Sequence, residues 1–577
     1  MQFLLTAINA KYIHSNPAVY SLKAYAGERL QPFIAVAEYT INNRMEEILG
    51  DLYRKHPDVI GFSCYIWNYN LIKELIIELP KVLPDTDIWL GGPEVSFETK
   101  KILEDFPMIK GIMVGEGEET FKDLLSYYVG NGREEIESRY HELREIPGLV
   151  LREGINPIRN LTDINELPFL YDDMQTFENK IIYYETSRGC PFRCSYCLSS
   201  IDKKVRLRNL DIVKKELQFF LDKKVTQVKL IDRTFNCNRN HAVEIWRYIK
   251  EHDNGVTNFH FEISADIMDE EEIALLKDMR PGLVQLEIGV QTTNLNTLKE
   301  INRSTDIAHI TKVVDIIRGC RNIHIHLDLI AGLPFEGYDS FKKSFNEVYA
   351  MKPHQLQLGF LKVLKGTSIW EQAQDYGIVY QSKAPYEVLY TKWISYEEIL
   401  RLKQIEEMVE LYYNSNQFMH TLPVLEREFA DPFEMFEQLA AFYEQQGYFI
   451  HSPARGYRYH VLLEFVISKV ERKEQLYREL LTYDYYLREK AKSRPSFAED
   501  LAPYRDEIVN FYKKYHAKET MKVTHMDVFF YPVWKSGTEH KWKKQRKPEF
   551  VLFDYEKRDV LTKEAAVRIV GKKIYGE

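Results

Sequence analysis

The sequence predicts an α/β protein: a doubly wound parallel sheet, then a partial β/α barrel, then a mostly helical C-terminal domain. Three observations carry that prediction. Residues 1–130 alternate apolar strand-like runs with helical stretches five times, residues 181–365 resume the rhythm with six strand-like runs, and beyond residue 370 helical periodicity with charged outer faces takes over. The expected divisions are residues 1–135, a connector at 136–180, residues 181–370 and residues 371–577.

In the first part the strand-like runs are Phe3–Ile8, Ile34–Tyr39, Val59–Ser63, Asp87–Leu90 and Gly111–Val114. Between them lie the helical stretches Ala18–Arg29, Arg44–His56, Asn70–Val82 and Glu118–Val129. Sheets of this kind bind ligands at the carboxyl ends of their strands. The loops there read AINAKYIHSNP, GFSCYIWN, GGPEVS and VGEGEE. Two are glycine-rich, which lets backbone approach a ligand closely. None is a GxGxxG or a Walker A loop, so an ordinary dinucleotide or ATP site is not supported. In the connector, Pro147-Gly148, Gly154, Pro157 and Pro168 punctuate short strands near Leu149–Arg152 and Ile181–Thr186.

The barrel strands are expected at Ile181–Glu185, Gln227–Ile231, His260–Ser264, Val284–Gly289, His324–Leu329 and Gln355–Phe360. Helices are expected at Asp211–Asp222, Asn240–Glu251, Glu270–Met279, Leu295–Ile301 and Asp339–Met351. Chemistry in such barrels sits at the C-terminal ends of the strands. In the last third, Tyr396–Gln417, Pro432–Gln446 and Lys469–Lys492 read as helical, and Thr524–Tyr531 and Glu549–Tyr555 as strands. Lys535–Lys547, with six Lys/Arg and one Glu, reads as a solvated basic loop.

The 577 residues carry 77 Lys+Arg against 86 Asp+Glu, a net charge of −9, and are 45% hydrophobic and 28% charged. These values fit a globular protein and exclude a disordered or collagen-like chain. The mild acidity gives no reason to expect nucleic-acid binding. No apolar run of about 18 residues exists, so no membrane span is expected, and the N-terminal MQFLLTAINAKYIHSNP reads as a buried strand rather than a secretion signal. Of the six cysteines, three fall within eight residues. A secreted disulfide framework would spread them, so the pattern reads as a cytoplasmic protein with a metal or cluster site.

That group is Cys190, Cys194 and Cys197 in GCPFRCSYCLSS, directly after the strand IIYYETSR. Structural zinc sites want four ligands, and no nearby Cys or His completes a set. A 4Fe–4S cluster held by three thiolates would keep one iron open for a small molecule. The loop resembles the signature of the radical S-adenosylmethionine (SAM) enzymes. In that family SAM chelates the open iron and is cleaved to methionine and a 5′-deoxyadenosyl radical, which the protein must hold and aim. The resemblance implies that Tyr196 lies near the adenine. It also implies that Glu262 in FHFEIS, Gln291 in GVQTTNLNTLKEINRS and Asp328 in HLDLIAGLPFEG contact ribose and methionine polar groups. Arg303 would pair with the SAM carboxylate, a bidentate geometry suited to Arg. Asp232 and Phe235 in LIDRTFN resemble the family's equivalent loop more loosely. The remaining cysteines Cys237 and Cys320 read as buried hydrophobes.

A doubly wound domain ahead of such a barrel resembles the cobalamin-dependent branch of that superfamily. The resemblance runs over about residues 1–365 and rests on INAKYIHSNPAVYSLKAYA, GFSCY, GGPE and GEGE in that order. It implies a Rossmann-like cobalamin-binding domain, with Asn16, Ser63, Gly91, Gly92 and Gly115 beside the cofactor's nucleotide. One departure is that no DxHxxG motif occurs. His14 lacks the matching surroundings and reads as a solvated loop residue, so cobalamin is expected base-off without a His ligand.

The implied activity is methylation of an unactivated carbon or phosphorus centre, with cobalamin-dependent radical rearrangement or cyclisation as the alternative. The implied cofactors are a 4Fe–4S cluster, SAM and cobalamin, and the implied partners are an unidentified substrate and an electron donor such as flavodoxin or ferredoxin. A methylthiotransferase would need three further cysteines in the first domain, where only Cys64 occurs. A non-catalytic cobalamin sensor would not need the cluster loop. The last third is expected to form a cap over the substrate.

Overall fold

The computed structural model describes residues 1–130, 140–491, 493–515, 520–535 and 542–570. Strands β1 (Phe3–Asn9), β2 (Ile34–Thr40), β3 (Val59–Ser63), β4 (Asp87–Gly91) and β5 (Ile109–Met113) form a parallel sheet in the order β2-β1-β3-β4-β5. All seven residues of β1 are buried, as a central strand covered on both faces requires. Phe3, Leu5 and Ala7 pack with Val19, Phe121 and Leu124 of the helices Pro17–Tyr25 and Gly117–Gly130. Leu4 and Ile8 pack on the opposite face with Leu52, Ile72 and Ile102 of the helices Met45–Lys55, Tyr69–Val82 and Thr99–Asp105. The expected connector is more than a link. Its hairpin, β6 (Leu149–Leu151) and β7 (Gly154–Ile155), adds antiparallel to β5 and extends the sheet to seven strands.

The second sheet begins with β8 (Ile182–Tyr184). A short pair, β9 (Ser187–Arg188) and β10 (Arg206–Leu207), brackets the cysteine loop. Then come β11 (Gln227–Leu230), β12 (Asn258–Ile263), β13 (Val284–Gln291), β14 (His324–Ala331) and β15 (Gln355–Phe360), all parallel, in the order β15-β14-β13-β12-β11-β8. The sheet has two free edges, β15 and β8, so the barrel is partial, as expected. Along β13, the buried Val284, Leu286, Ile288 and Val290 alternate with partly exposed Gln285, Glu287, Gly289 and Gln291. Apolar side chains therefore face the helices and polar ones face the barrel interior. One covering helix, Ile307–Cys320, falls outside the expected set; Asp306 caps it by accepting a hydrogen bond from the His309 amide at 3.0 Å.

After β15 the chain forms a small hairpin, β16 (Val379–Tyr380) with β17 (Val388–Tyr390). The helices Tyr396–Met408, Pro432–Gln446, Arg458–Lys469 and Glu474–Arg488 follow, then an antiparallel sheet of β18 (Thr524–Phe529), β19 (Glu549–Arg558) and β20 (Ala565–Val570). β20 was not expected, and the basic loop lies partly outside the described residues, at 536–541. This part packs on the barrel flank, with Phe433 5.3 Å from Phe345 and Tyr413 4.9 Å from Tyr349. Among the described residues no helix is long and apolar enough to cross a membrane.

Candidate functional site between two sheets

The carboxyl ends of both sheets open onto one cavity of about 790 Å3. On the first sheet the cavity lies where the strand order reverses between β1 and β3, the place such sheets bind ligands. Two loops are tied together there. The Asn68 side chain donates to Ile8 O (3.0 Å) and Ser63 O (2.9 Å), and Trp67 Nε1 donates to Ile8 O (3.1 Å). Tyr65 and Trp67 stack at 4.4 Å and line the cavity. Asn16 caps its helix, accepting from the Val19 amide at 3.4 Å, and its Nδ2 reaches Ser63 Oγ at 3.5 Å. Gly92 has φ +111°, and a Cβ there would stand 2.5 Å from Cys64 O. The GGPE turn therefore requires glycine for backbone geometry as well as for space. Gly115 has φ +80° and open space where a side chain would point. Asn16, Ser63, Gly91, Gly92 and Gly115 all line the cavity.

On the barrel side, the cysteine loop starts at Gly189, φ +98°, whose absent Cβ would lie 2.5 Å from Lys204 O. The Cys190 amide donates to Asp202 O at 3.1 Å. Cys190 and Cys194 are buried and Cys197 is partly exposed. Burial pushes the Cys194 thiol up, opposed by the Arg303 guanidinium, whose Nη1 lies 3.6 Å from Sγ and 3.5 Å from the Tyr196 hydroxyl. Tetrahedral Zn–S bonds of ~2.3 Å would hold thiolates about 3.8 Å apart, yet among the described residues these three form no triple within 4.8 Å.

Beside this loop the strand ends carry unpaired polar atoms. Arg303 Nη2 donates to Gly289 O, and Gln291, at φ +71°, folds back over Gly289. Arg303 Nε and Gln291 Oε1 are buried without a hydrogen-bond partner. Buried polar groups are normally satisfied, so this set fits a polar ligand such as SAM. Deeper in the barrel, Lys229 Nζ lies 3.1 Å from Glu287 and 3.4 Å from Glu262. His260 lies 3.0 Å from Glu287, and His326 3.0 Å from Asp328. Against the cost of burial, the His260 hydrogen bond and the Lys229 and His326 charges hold Glu287 at about 2, while burial pushes Glu262 up.

Several residues depart from expectation. Asp232 is 1% exposed and accepts from the Thr186 amide (3.1 Å), Thr186 Oγ1 (2.6 Å) and Ser187 Oγ (2.5 Å). It braces the path from β8 into the cysteine loop and presents no free carboxylate to a ligand. Phe235 is core, 4.4 Å from Phe261. Cys237 and Cys320 are partly exposed and Cys64 is the buried one. His14 is not simply solvated: it lines the cavity, and its Nδ1 lies 2.5 Å from the Tyr183 hydroxyl on β8. Among the described residues of 371–577, none lines this cavity. Instead the segment around β16 and β17 latches onto the loop after β4. Tyr386 donates to Glu94, Lys365 pairs with Glu98 at 2.8 Å, and Asn70 donates to Ala384 O at 2.9 Å.

Sequence reasoning also missed the groups that join the two sheets. Arg188 pairs with Glu185 (2.8 Å), Glu118 (3.0 Å) and Glu116 (3.4 Å), and Arg206 pairs with Glu116 at 2.5 Å. The GEGE loop thus carries the clasp as well as a glycine bend. The signal was present as acidic residues in one strand-end loop and arginines flanking the cysteines.

A family model described as the B12 binding domain matches residues 4–125, and one described as the radical SAM superfamily matches residues 184–348. The chain thus carries a radical SAM domain and, ahead of it, a B12-binding domain. A third model, described as a protein of unknown function (DUF4080), matches residues 374–553.

Among curated proteins, the chain is 23% identical over 350 residues to the cobalamin-dependent radical SAM methyltransferase TokK of Streptomyces tokunonensis, covering 56% of this chain and 50% of TokK. It is 22% identical over 355 residues to the anaerobic magnesium-protoporphyrin IX monomethyl ester cyclase of Cereibacter sphaeroides, covering 59% of this chain and 56% of the cyclase. The chain thus spans about half the length of these curated relatives. Its fold is like that of the cobalamin-dependent SAM radical enzyme OxsB, with a TM-score of 0.55 at 15% identity, covering 89% of this chain and 82% of OxsB. The radical SAM family implies a 4Fe–4S cluster and SAM, and the B12-binding domain implies cobalamin. The three grouped thiols, the unpaired polar atoms and the glycine-built cavity fit those groups.

Proposed function

We propose that this chain is a cobalamin-dependent radical SAM methyltransferase acting on an unactivated carbon or phosphorus centre. The observation that carries the reading is the shared cavity, which reaches from Asn16 and Gly92 on the first sheet to Gly189 and Glu262 on the second. Cys190, Cys194 and Cys197 would hold the cluster. Tyr196 would border the adenine, Glu262, Gln291 and Asp328 the polar groups of ribose and methionine, and Arg303 the SAM carboxylate. Asn16, Ser63, Gly91, Gly92 and Gly115 would border the corrinoid's nucleotide. When bound, SAM on the cluster supplies a hydrogen-abstracting radical and cobalamin supplies a methyl group. The protein's part is to orient these groups and keep water out, the latter with the segment Leu167–Tyr171, which lines the cavity. Asp232 acts one layer back, fixing the entry to the cysteine loop.

A low-potential donor such as flavodoxin or ferredoxin would deliver the electron, in the cytoplasm, where thiols stay reduced. Residues 1–135 would serve cobalamin and 181–370 SAM, with 371–577 supporting the barrel flank. Likeness to the cyclase favours rearrangement or cyclisation on the same cofactors as the second reading.

The test is anaerobic reconstitution with iron, sulfide and hydroxocobalamin, followed by SAM and a reductant. Methyl transfer predicts deoxyadenosine together with S-adenosylhomocysteine. Deoxyadenosine alone, with corrinoid retained and substrate present, would select the second reading.

A further inference from the structure

Three arginines line the cavity: Arg188, Arg208 and Arg233. Two are committed to protein carboxylates. Arg188 is held by Glu116, Glu118 and Glu185, and Arg208 by Glu216 at 2.7 Å. Arg233 is different. Among the described residues no carboxylate or other acceptor meets its guanidinium, and its side chain is exposed to the cavity. The neighbouring carboxylates are taken, Glu262 by Lys229 at 3.4 Å and Glu185 by Arg188.

The stem of Arg233 is nonetheless rigidly placed. It follows Asp232, locked by three hydrogen bonds to Thr186 and Ser187. It precedes the nearly buried Thr234 and Phe235, which packs on Phe261 and Trp246. The residue thus projects from the carboxyl end of β11 near Glu262 of the barrel and Tyr65 of the first sheet, close enough for its charge to act on both.

An unpaired guanidinium on a fixed stem at a domain seam is a preorganised fork for an anion with two oxygens in one plane. We propose that Arg233 anchors a carboxylate or phosphoryl group of the substrate, and that the substrate class is therefore anionic. This rests on the reading that substrate lies between the two cofactor domains. Arg303, beside Cys194, faces the cluster loop, so the two arginines serve separate anions.

The test is arginine modification with phenylglyoxal on the full chain reconstituted with cluster, with and without hydroxocobalamin and SAM, read residue by residue by peptide mass spectrometry. Arg233 should react faster than Arg188 and Arg208. Inorganic phosphate or succinate, at about nine times its dissociation constant, should slow that reaction roughly tenfold. The anion that protects at lower concentration names the class, phosphoryl or carboxylate.

The proposal is overturned if Arg233 reacts no faster than the paired arginines, or if neither anion protects it. It is equally overturned if hydroxocobalamin or SAM alone protects as fully as the anions, since the guanidinium then belongs to a cofactor. Deoxyadenosine formation in the same samples reports separately on the radical SAM reading. Arg233→Gln should leave cluster and corrinoid absorbance unchanged and abolish the binding of phosphate or succinate read by isothermal titration calorimetry.

Discussion

The clasp made by Arg188 is the sharpest place to test how the two sheets are held. Its side chain is 20% exposed, and it contacts Glu118, which is 8% exposed, and Glu185, which is 26% exposed. Arg188→Gln removes the charge and keeps much of the volume. Breaking a buried pair by deleting one partner costs about 3–5 kcal/mol, because the other charge stays buried and uncompensated. Here Glu116 keeps Arg206 and the Thr162 amide at 2.7 Å, so the loss falls on Glu118 and Glu185. Partial exposure of Glu185 lowers the expected cost to about 2–3 kcal/mol. The assay is the first unfolding transition in urea of Arg188→Gln, Glu118→Gln and the double variant. A multidomain chain is not two-state as a whole, so the comparison uses that transition alone. Each single change should destabilise, and the pair should show a coupling of about 1–2 kcal/mol. Corrinoid retention should fall in parallel. Additive single effects, each under about 0.5 kcal/mol as for exposed pairs, would refute the reasoning.

Cys194→Ala should remove the cluster absorbance and deoxyadenosine formation while leaving corrinoid binding, since the first sheet contributes no thiol to that loop. Gly92→Ala should cost about 1–3 kcal/mol from backbone strain, because its Cβ would meet Cys64 O at 2.5 Å; corrinoid retention measured by gel filtration should drop with it. Burial pushes Asp484 and Glu479 in the C-terminal part up to about 7. The folded state then binds these protons more tightly than the unfolded chain does. Their contribution is complete below about pH 4 and is lost as pH rises through 7. Melting temperatures should therefore fall from pH 5 to pH 8, and Asp484→Asn should flatten part of that slope.

What the sequence made legible follows from periodicity and local spacing. The buried strands of both sheets were found within a residue or two because β1, β3 and β14 alternate or saturate with apolar side chains between glycine- and proline-rich loops. The cysteine loop was legible because its three cysteines lie within eight residues of one another. β6 was found near Leu149–Arg152 from its flanking Pro and Gly residues, whereas β7 was obscured because a two-residue edge strand has no period to detect. Likewise, β20 lies beyond the last turn signal used and buries only Ala565 fully. The roles of Asp232 and Arg188 depend on partners 45 and 70 residues away, and no local pattern encodes such pairing. LIDRTFN looked like a ligand loop, yet its aspartate and phenylalanine turn inward, and the arginine between them is the residue that faces the cavity.

The polar interior of the barrel follows from what it would have to hold. Closed β/α barrels fill this space with branched apolar side chains, whereas here Lys229, His260, Glu262, Glu287, His326 and Asp328 occupy it. Against burial, Asp328 and Glu287 raise His326, favouring its charged form. Glu262, Glu287 and Asp328 are met there by Lys229, by His326 and, at the rim, by the charge of Arg233. Polar groups in a low-dielectric interior are tolerated only where each finds a partner. On the proposed reading SAM supplies such partners: its hydroxyl and ammonium groups donate, and its carboxylate meets Arg303. The unpaired Gln291 oxygen then becomes an acceptor aimed at a donor of that ligand, and an anionic substrate would be met at the seam, where Arg233 lies.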